Sequence, residues 1–194
     1  MAGIDINKRL RILGQLIANP GKTWKELTRK PFTKREVWFA FFYPAVTAFG
    51  LAEFFGMLLS AYVTGSFAYI FIFSVLMMGG LIAAYHLSVF AIRFLLNSFG
   101  VTDKKQRADQ LLALPLLLGY VPIAVTALFR SMFFLVVLSL YAFYLFWLGT
   151  QKMPGLTQEQ KPVFGILSIV FTAGIHLLIF LLILALRTPL MTWL

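Results

Sequence analysis

Val163-Phe-Gly-Ile-Leu-Ser-Ile-Val-Phe-Thr-Ala-Gly-Ile-His-Leu-Leu-Ile-Phe-Leu-Leu-Ile-Leu-Ala-Leu186 holds one titratable side chain, His176, and no charged one. A helix rises about 1.5 Å per residue and the hydrocarbon core of a bilayer is about 30 Å thick, so about 20 apolar residues cross it. This stretch exceeds that length and has no polar face to offer water. Four more runs have the same character: about Val37–Val63, Ser66–Leu96, Ala108–Phe129 and Met132–Gly149. The chain as a whole is 60% hydrophobic and 12% charged, with a mean hydropathy of +0.86. A water-soluble domain cannot hide that much apolar surface. The expected fold is all-α, a polytopic bundle of five transmembrane helices (37–194) preceded by a cytoplasmic basic arm (1–36).

Charge sets the expected orientation. The net charge is +10, but the basic residues lie in short segments between apolar runs. That pattern fits the anionic face of a membrane and not nucleic acid. With the N-terminus in the cytoplasm, all the Lys and Arg residues except Arg130 and Arg187 fall on the cytoplasmic side, and the C-terminus falls on the far side. An integral membrane location is expected. The first apolar run follows charged residues, so the first span should act as a retained insertion signal and not a cleaved one. Cysteine is absent, which excludes disulfides, thiolate metal sites and cysteine nucleophiles.

Local signals place the boundaries. Thr33-Lys-Arg-Glu36 and Thr157-Gln-Glu-Gln160 have capping-box spacing before the first and fifth spans. Thr64-Gly65-Ser66 is short enough to force a hairpin between the first two, and Arg130-Ser131 divides the third from the fourth. Trp38 and Trp147 are expected at the cytoplasmic interface and Trp193 at the far one. In the arm, Ile6, Leu10, Leu13 and Ile17 fall on one helical face, with Lys8, Arg11 and Gln15 opposite. An interfacial helix follows, with Lys8, Arg9, Arg11 and Trp24 at the membrane surface. Asn19-Pro20 can cap and open a second short helix through Trp24 and Leu27. The arm is either a passive anchor or a docking site for a protein partner.

Ionisable side chains inside spans cost about 2.5–3.5 kcal/mol on insertion scales. Glu53, His86 and His176 are the expected intramembrane polar site. Glu53 shares a face with Val46, Gly50, Met57 and Ser60, with Gly56 beside it, so it should point into the bundle. From the cytoplasmic ends of their helices, Glu53 lies about 24 Å away, His176 about 20 Å and His86 about 17 Å. Glu53 and His176 are the best-matched pair by depth. The contact is either a polar clamp between helices or a proton- or ion-responsive site. Gly79-Gly80 interrupts the second span and Pro115 and Pro122 the third, as kinks or as close-packing positions; Gly79-x-x-x-Ala83 and Gly80-x-x-x-Ala84 match the small-xxx-small pattern. No metalloprotease motif, nucleophile elbow or phosphate-cradling loop occurs, so no catalytic residue, metal or cofactor is expected.

Leu16-Ile-Ala-Asn-Pro-Gly-Lys-Thr-Trp-Lys-Glu-Leu27 resembles the Asn-Pro-x-x-x-Trp opening of small prokaryotic Yip-domain membrane proteins. Gly119-Tyr-Val-Pro122 resembles the Gly-Tyr-x-x-Pro region of a middle span in that family, with proline one position early. Trp147-Leu-Gly-Thr followed by Gly155-Leu-Thr is similar to its last connecting segment. The resemblance implies five spans, a cytoplasmic N-terminus, a far-side C-terminus, a place in a prokaryotic cytoplasmic (inner) membrane and no enzymatic site; eukaryotic members serve vesicle traffic and contact Rab-type GTPases. Two function classes follow. One is a non-enzymatic Yip-like protein that organises membrane or binds partners. The other is a small transporter, channel or lipid-moving protein using Glu53, His86 and His176. Small-residue faces further suggest a homo-oligomer.

Overall fold

A computed structural model of the chain describes residues 6–60, 66–101 and 105–193. The turn at Thr64-Gly65 and the side chains of Lys8, Arg9 and Trp193 lie outside what is described. Two short helices, α1 (Ile6–Ala18) and α2 (Pro20–Arg29), precede five long ones. These are α3 (Lys34–Leu59), α4 (Phe67–Ser98), α5 (Lys105–Leu128), α6 (Arg130–Gln151) and α7 (Gln160–Trp193). Each of the five is long and apolar enough to cross a bilayer. The protein is an all-helical, polytopic membrane protein.

Helix starts follow from satisfied amides. At α3 the Thr33 hydroxyl accepts from the Glu36 amide at 3.2 Å, and the Thr33 amide donates to Glu36 Oε2 at 2.7 Å. Thr157 and Gln160 repeat that exchange at α7. Ser66 caps α4 by accepting from the Tyr69 amide at 3.1 Å. Helix α3 opens with a π segment, Val37–Phe42. Pro44 follows it, and its ring cannot donate and crowds the carbonyl four residues back, so a wider turn relieves the clash. Helix α4 ends where Gly100 adopts a left-handed φ of 78°, which lets the Val101 amide reach back to the Leu96 carbonyl at 2.8 Å.

The interruptions read from the sequence do not end a helix. Helix α4 runs unbroken through Gly79-Gly80, and α5 runs through Pro115 and Pro122. Neighbouring helices and the intact turns on either side carry the backbone past these residues. The irregular element is the first part of α6, which is a 3-10 helix over Arg130–Ser139. None of its side chains is buried; Phe133, Phe134, Val137 and Leu138 all face outward. The inward stripe of α6 starts at Ala142 and continues through Leu145, Phe146, Gly149 and Thr150, the spacing of a helix face.

The five spans close into a ring in the order α3, α4, α7, α6, α5, and α5 also touches α4 across the middle. Lipid tails are as apolar as leucine, so close packing, not water expulsion, decides which faces meet. Gly56 shows this most sharply: a Cβ there would lie 1.9 Å from the Ala127 carbonyl oxygen on α5. Gly80 packs under Ile183 of α7 in the same way, whereas Gly79 meets nothing within 4 Å. Of the two small-residue pairs on α4, only Gly80 with buried Ala84 packs. Gly79 faces away because adjacent residues on a helix point about 100° apart.

The arm is built into the bundle. Trp24, expected at the membrane surface, is 2% exposed. Its ring lies over Gly149, and its Nε1 donates to the Leu145 carbonyl of α6 at 2.9 Å. The Tyr141 hydroxyl, also on α6, donates to the Ile17 carbonyl at 3.1 Å. The Phe32 amide donates to Gln110 Oε1 on α5 at 2.9 Å. Asn19 makes no side-chain cap; the Thr23 hydroxyl instead bonds the Gln15 and Asn19 carbonyls and fastens α2 to α1. On α1, Leu16 is fully buried, while Leu10, Ile17 and Arg11 are exposed. The helix therefore has two apolar faces, one turned into the protein at Leu16 and one outward.

Candidate functional site

Three groups of polar side chains lie within the bundle, one at the end that bears the arm, one at mid-depth and one at the opposite end. At the arm end, Asp109 of α5 is completely buried. It forms an ion pair with Arg93 of α4 and accepts from Trp38 Nε1 of α3 at 3.1 Å. Its own carbonyl accepts from the Tyr85 hydroxyl at 3.4 Å. Lys34 lies over the Trp38 ring, 4.2 Å from its centre. A single carboxylate thus ties three helices together, and its neighbour Gln110 ties down the arm. Among the described residues, this is the one ion pair within 4 Å. His86 sits beside it, edge-on to Trp38 at 5.0 Å and to Tyr85 at 5.2 Å. It packs as an aromatic ring at this cluster, far from Glu53 along the bundle.

At the opposite end, Glu53 is half-buried and lines a cavity of about 300 Å³. The walls come from α3, α4, α5 and α7, with Arg130 at the start of α6 and Arg187 near the end of α7. Gly56 abuts Ala127, so Glu53 lies about 9 Å below Arg130 along the axis. Arg130 and Arg187 are exposed and Glu53 is recessed, which makes a charged mouth over a carboxylate floor. Among the described residues, these three are the only charged ones at this end.

At mid-depth, a second cavity of about 180 Å³ lies between α5, α6 and α7. His176 of α7 spans the gap to α5. Its Nδ1 is 2.8 Å from the Thr172 carbonyl, which can only accept, so in the neutral ring Nδ1 carries the hydrogen. Nε2 then accepts from the Tyr120 hydroxyl at 3.1 Å. Ser139 donates to the Gly119 carbonyl at 3.0 Å. The polar atoms on this wall are therefore largely satisfied within the protein. The buried Thr172 hydroxyl is the exception, without a partner among the described residues. Leu112, Leu116, Phe143, Phe146 and Ile169 make the rest of the lining apolar.

The expected Glu53–histidine contact is absent. Depth alone matched Glu53 to His176, but depth says nothing of azimuth, and the Tyr120 hydroxyl occupies the imidazole. Pro115 lines the mid-depth cavity, and Pro122 lies on α5 just before Ile123. Sequence reasoning missed Asp109, Arg130 and Arg187 as site residues. Asp109 lies one residue inside the third apolar run, where an acid is conspicuous; charge distribution alone makes the two arginines markers of the far side. Among the described residues, no group of three His, Asp or Glu side chains could hold a metal ion. Comparisons with protein-family profiles, with curated proteins and with solved structures find no match for this chain.

Proposed function

We propose that this protein is a non-enzymatic membrane protein that binds the phosphate-bearing headgroup of a phospholipid in the cavity formed by Glu53, Arg130 and Arg187. This belongs to the lipid-moving class of the two readings above and does not draw on the Yip-domain resemblance. One observation carries it: among the described residues, every charged one at that end of the bundle lines the same cavity. Two guanidinium groups at the mouth suit a phosphate, which they bind through forked, charge-assisted hydrogen bonds. With Glu53 ionised the three charges sum to +1, which matches one phosphodiester. With the N-terminus in the cytoplasm, as the distribution of Lys and Arg suggests, the cavity opens toward the outer leaflet.

The test is retention of phosphatidylglycerol by protein purified in mild detergent, read by native mass spectrometry. A charge-assisted hydrogen bond is worth about 1.5–3 kcal/mol, so Arg130→Gln and Arg187→Gln should each weaken retention by roughly tenfold or more. Unchanged retention in the folded double variant would overturn the proposal.

A further inference from the structure

Ile123 of α5 lines both cavities. Phe49 of the upper cavity and Tyr120 of the lower one meet ring to ring, with centres 6.4 Å apart. The two spaces are thus neighbours, with the side chains of Ile123, Phe49 and Tyr120 where they meet. On α7, His176, Phe180, Leu184 and Arg187 follow at spacings of four, four and three, so they share one face. That face runs from the charged mouth to the apolar cavity. From Arg187 to His176 is about 16 Å along the axis, close to the half-thickness of about 15 Å in the hydrocarbon core.

We infer that the apolar cavity at Tyr120 and His176 is the acyl-chain half of the same lipid site, with Ile123 as the gate the chain passes. This rests on the headgroup reading above and deepens it. A phosphate held at Arg130 and Arg187 puts the glycerol region beside Glu53, and one chain of an outer-leaflet lipid then ends near His176. Charge at one end and carbon at the other is the pattern of an anionic glycerophospholipid. A free phosphate would use only the mouth. The Tyr120–His176 hydrogen bond fits this use, because each group satisfies the other and neither presents an unpaired polar atom to a methylene chain.

The experiment uses phosphatidylcholine vesicles doped with phosphatidylglycerol that carries a photoreactive diazirine at mid-chain. The expected labels fall on peptides containing Leu116, Tyr120, Ile169 or His176. Ala173→Leu fills the lower cavity from α7, away from the charged mouth, and should remove those labels while a short-chain phosphatidylglycerol still binds the folded protein. Ile123→Trp, which blocks the passage between the two cavities, should remove them as well. Labels confined to outward-facing Phe133, Val137 and Leu178, or labels unchanged by both variants, overturn the inference. If Arg130→Gln with Arg187→Gln abolishes retention but wild-type labels never enter the lower cavity, only the chain site falls. If that pair leaves retention unchanged, the headgroup reading falls with it. Competition by inorganic phosphate without any labelling of the lower cavity identifies a free anion as the ligand and also overturns the inference.

Discussion

The Arg93–Asp109 pair is the most informative place to perturb the fold. The two partners are not equivalent: the Arg93 side chain is 29% exposed and Asp109 is 0%. Arg93→Met strands a carboxylate that has only the Trp38 indole left to meet it. Removing one partner of a buried pair costs about 3–5 kcal/mol, because the other charge stays in place uncompensated. Asp109→Leu strands a guanidinium that already reaches the surface, together with one indole N–H, so the cost should be nearer the ~1–3 kcal/mol of unsatisfied donors. Arg93→Met should therefore be the worse variant, and the Arg93→Met/Asp109→Leu double variant should be more stable than Arg93→Met alone. Unfolding by sodium dodecyl sulfate in mixed micelles, followed by circular dichroism, measures all three. The reasoning fails if Arg93→Met lies within about 1 kcal/mol of wild type, or if the double variant is no better than that single one.

Three other outcomes are expected. Gly56→Ala should lower stability by about 1–3 kcal/mol, since the added carbon meets a backbone oxygen that cannot turn aside. Gly79→Ala, with open space around it, should be neutral or stabilising by up to about 1 kcal/mol; equal Tm shifts for the two would contradict the packing described. Trp24→Ala should cost about 3–5 kcal/mol of arm docking and free the α2 backbone to unfold, speeding tryptic cleavage at the already exposed Lys22, Lys25 and Arg29; an unchanged digestion rate would refute that attachment. If Glu53 is ionised, as the +1 balance requires, Glu53→Gln removes a negative charge from the cavity floor and phosphatidylglycerol retention should rise several-fold; unchanged or lower retention would contradict that balance.

The parts of the fold legible in the sequence are those that depend on one dimension. Span number, the capping boxes at Thr33 and Thr157, and the break at Arg130 all follow from runs, spacings and turn chemistry. What could not be read depends on which faces meet. Gly79 and Gly80 are equivalent in sequence, yet only Gly80 lies under another helix. Trp24 looks like an interfacial anchor until its counterpart is known, a glycine 125 positions later that leaves room for an indole ring. In lipid the outward and inward faces are equally apolar, so hydrophobic periodicity does not mark the inner one. The same blindness hid the site. Glu53 could be placed at its depth but not at its azimuth, and Arg130 and Arg187 joined it only through the ring order of the helices.

The docking of the arm sets a schedule for making the protein. Its berth consists of the Leu145 and Gly149 region of α6, the Tyr141 hydroxyl, and Gln110 of α5. None of these exists when the first 36 residues leave the ribosome, and α6 is the fourth span to be inserted. The arm must therefore wait, unburied, for more than a hundred residues of synthesis and four membrane crossings before its tryptophan finds a seat. Settling of the arm is then among the last events of assembly. A tag or chaperone that occupied the N-terminus would hold the chain at a late, fully inserted but unlatched stage.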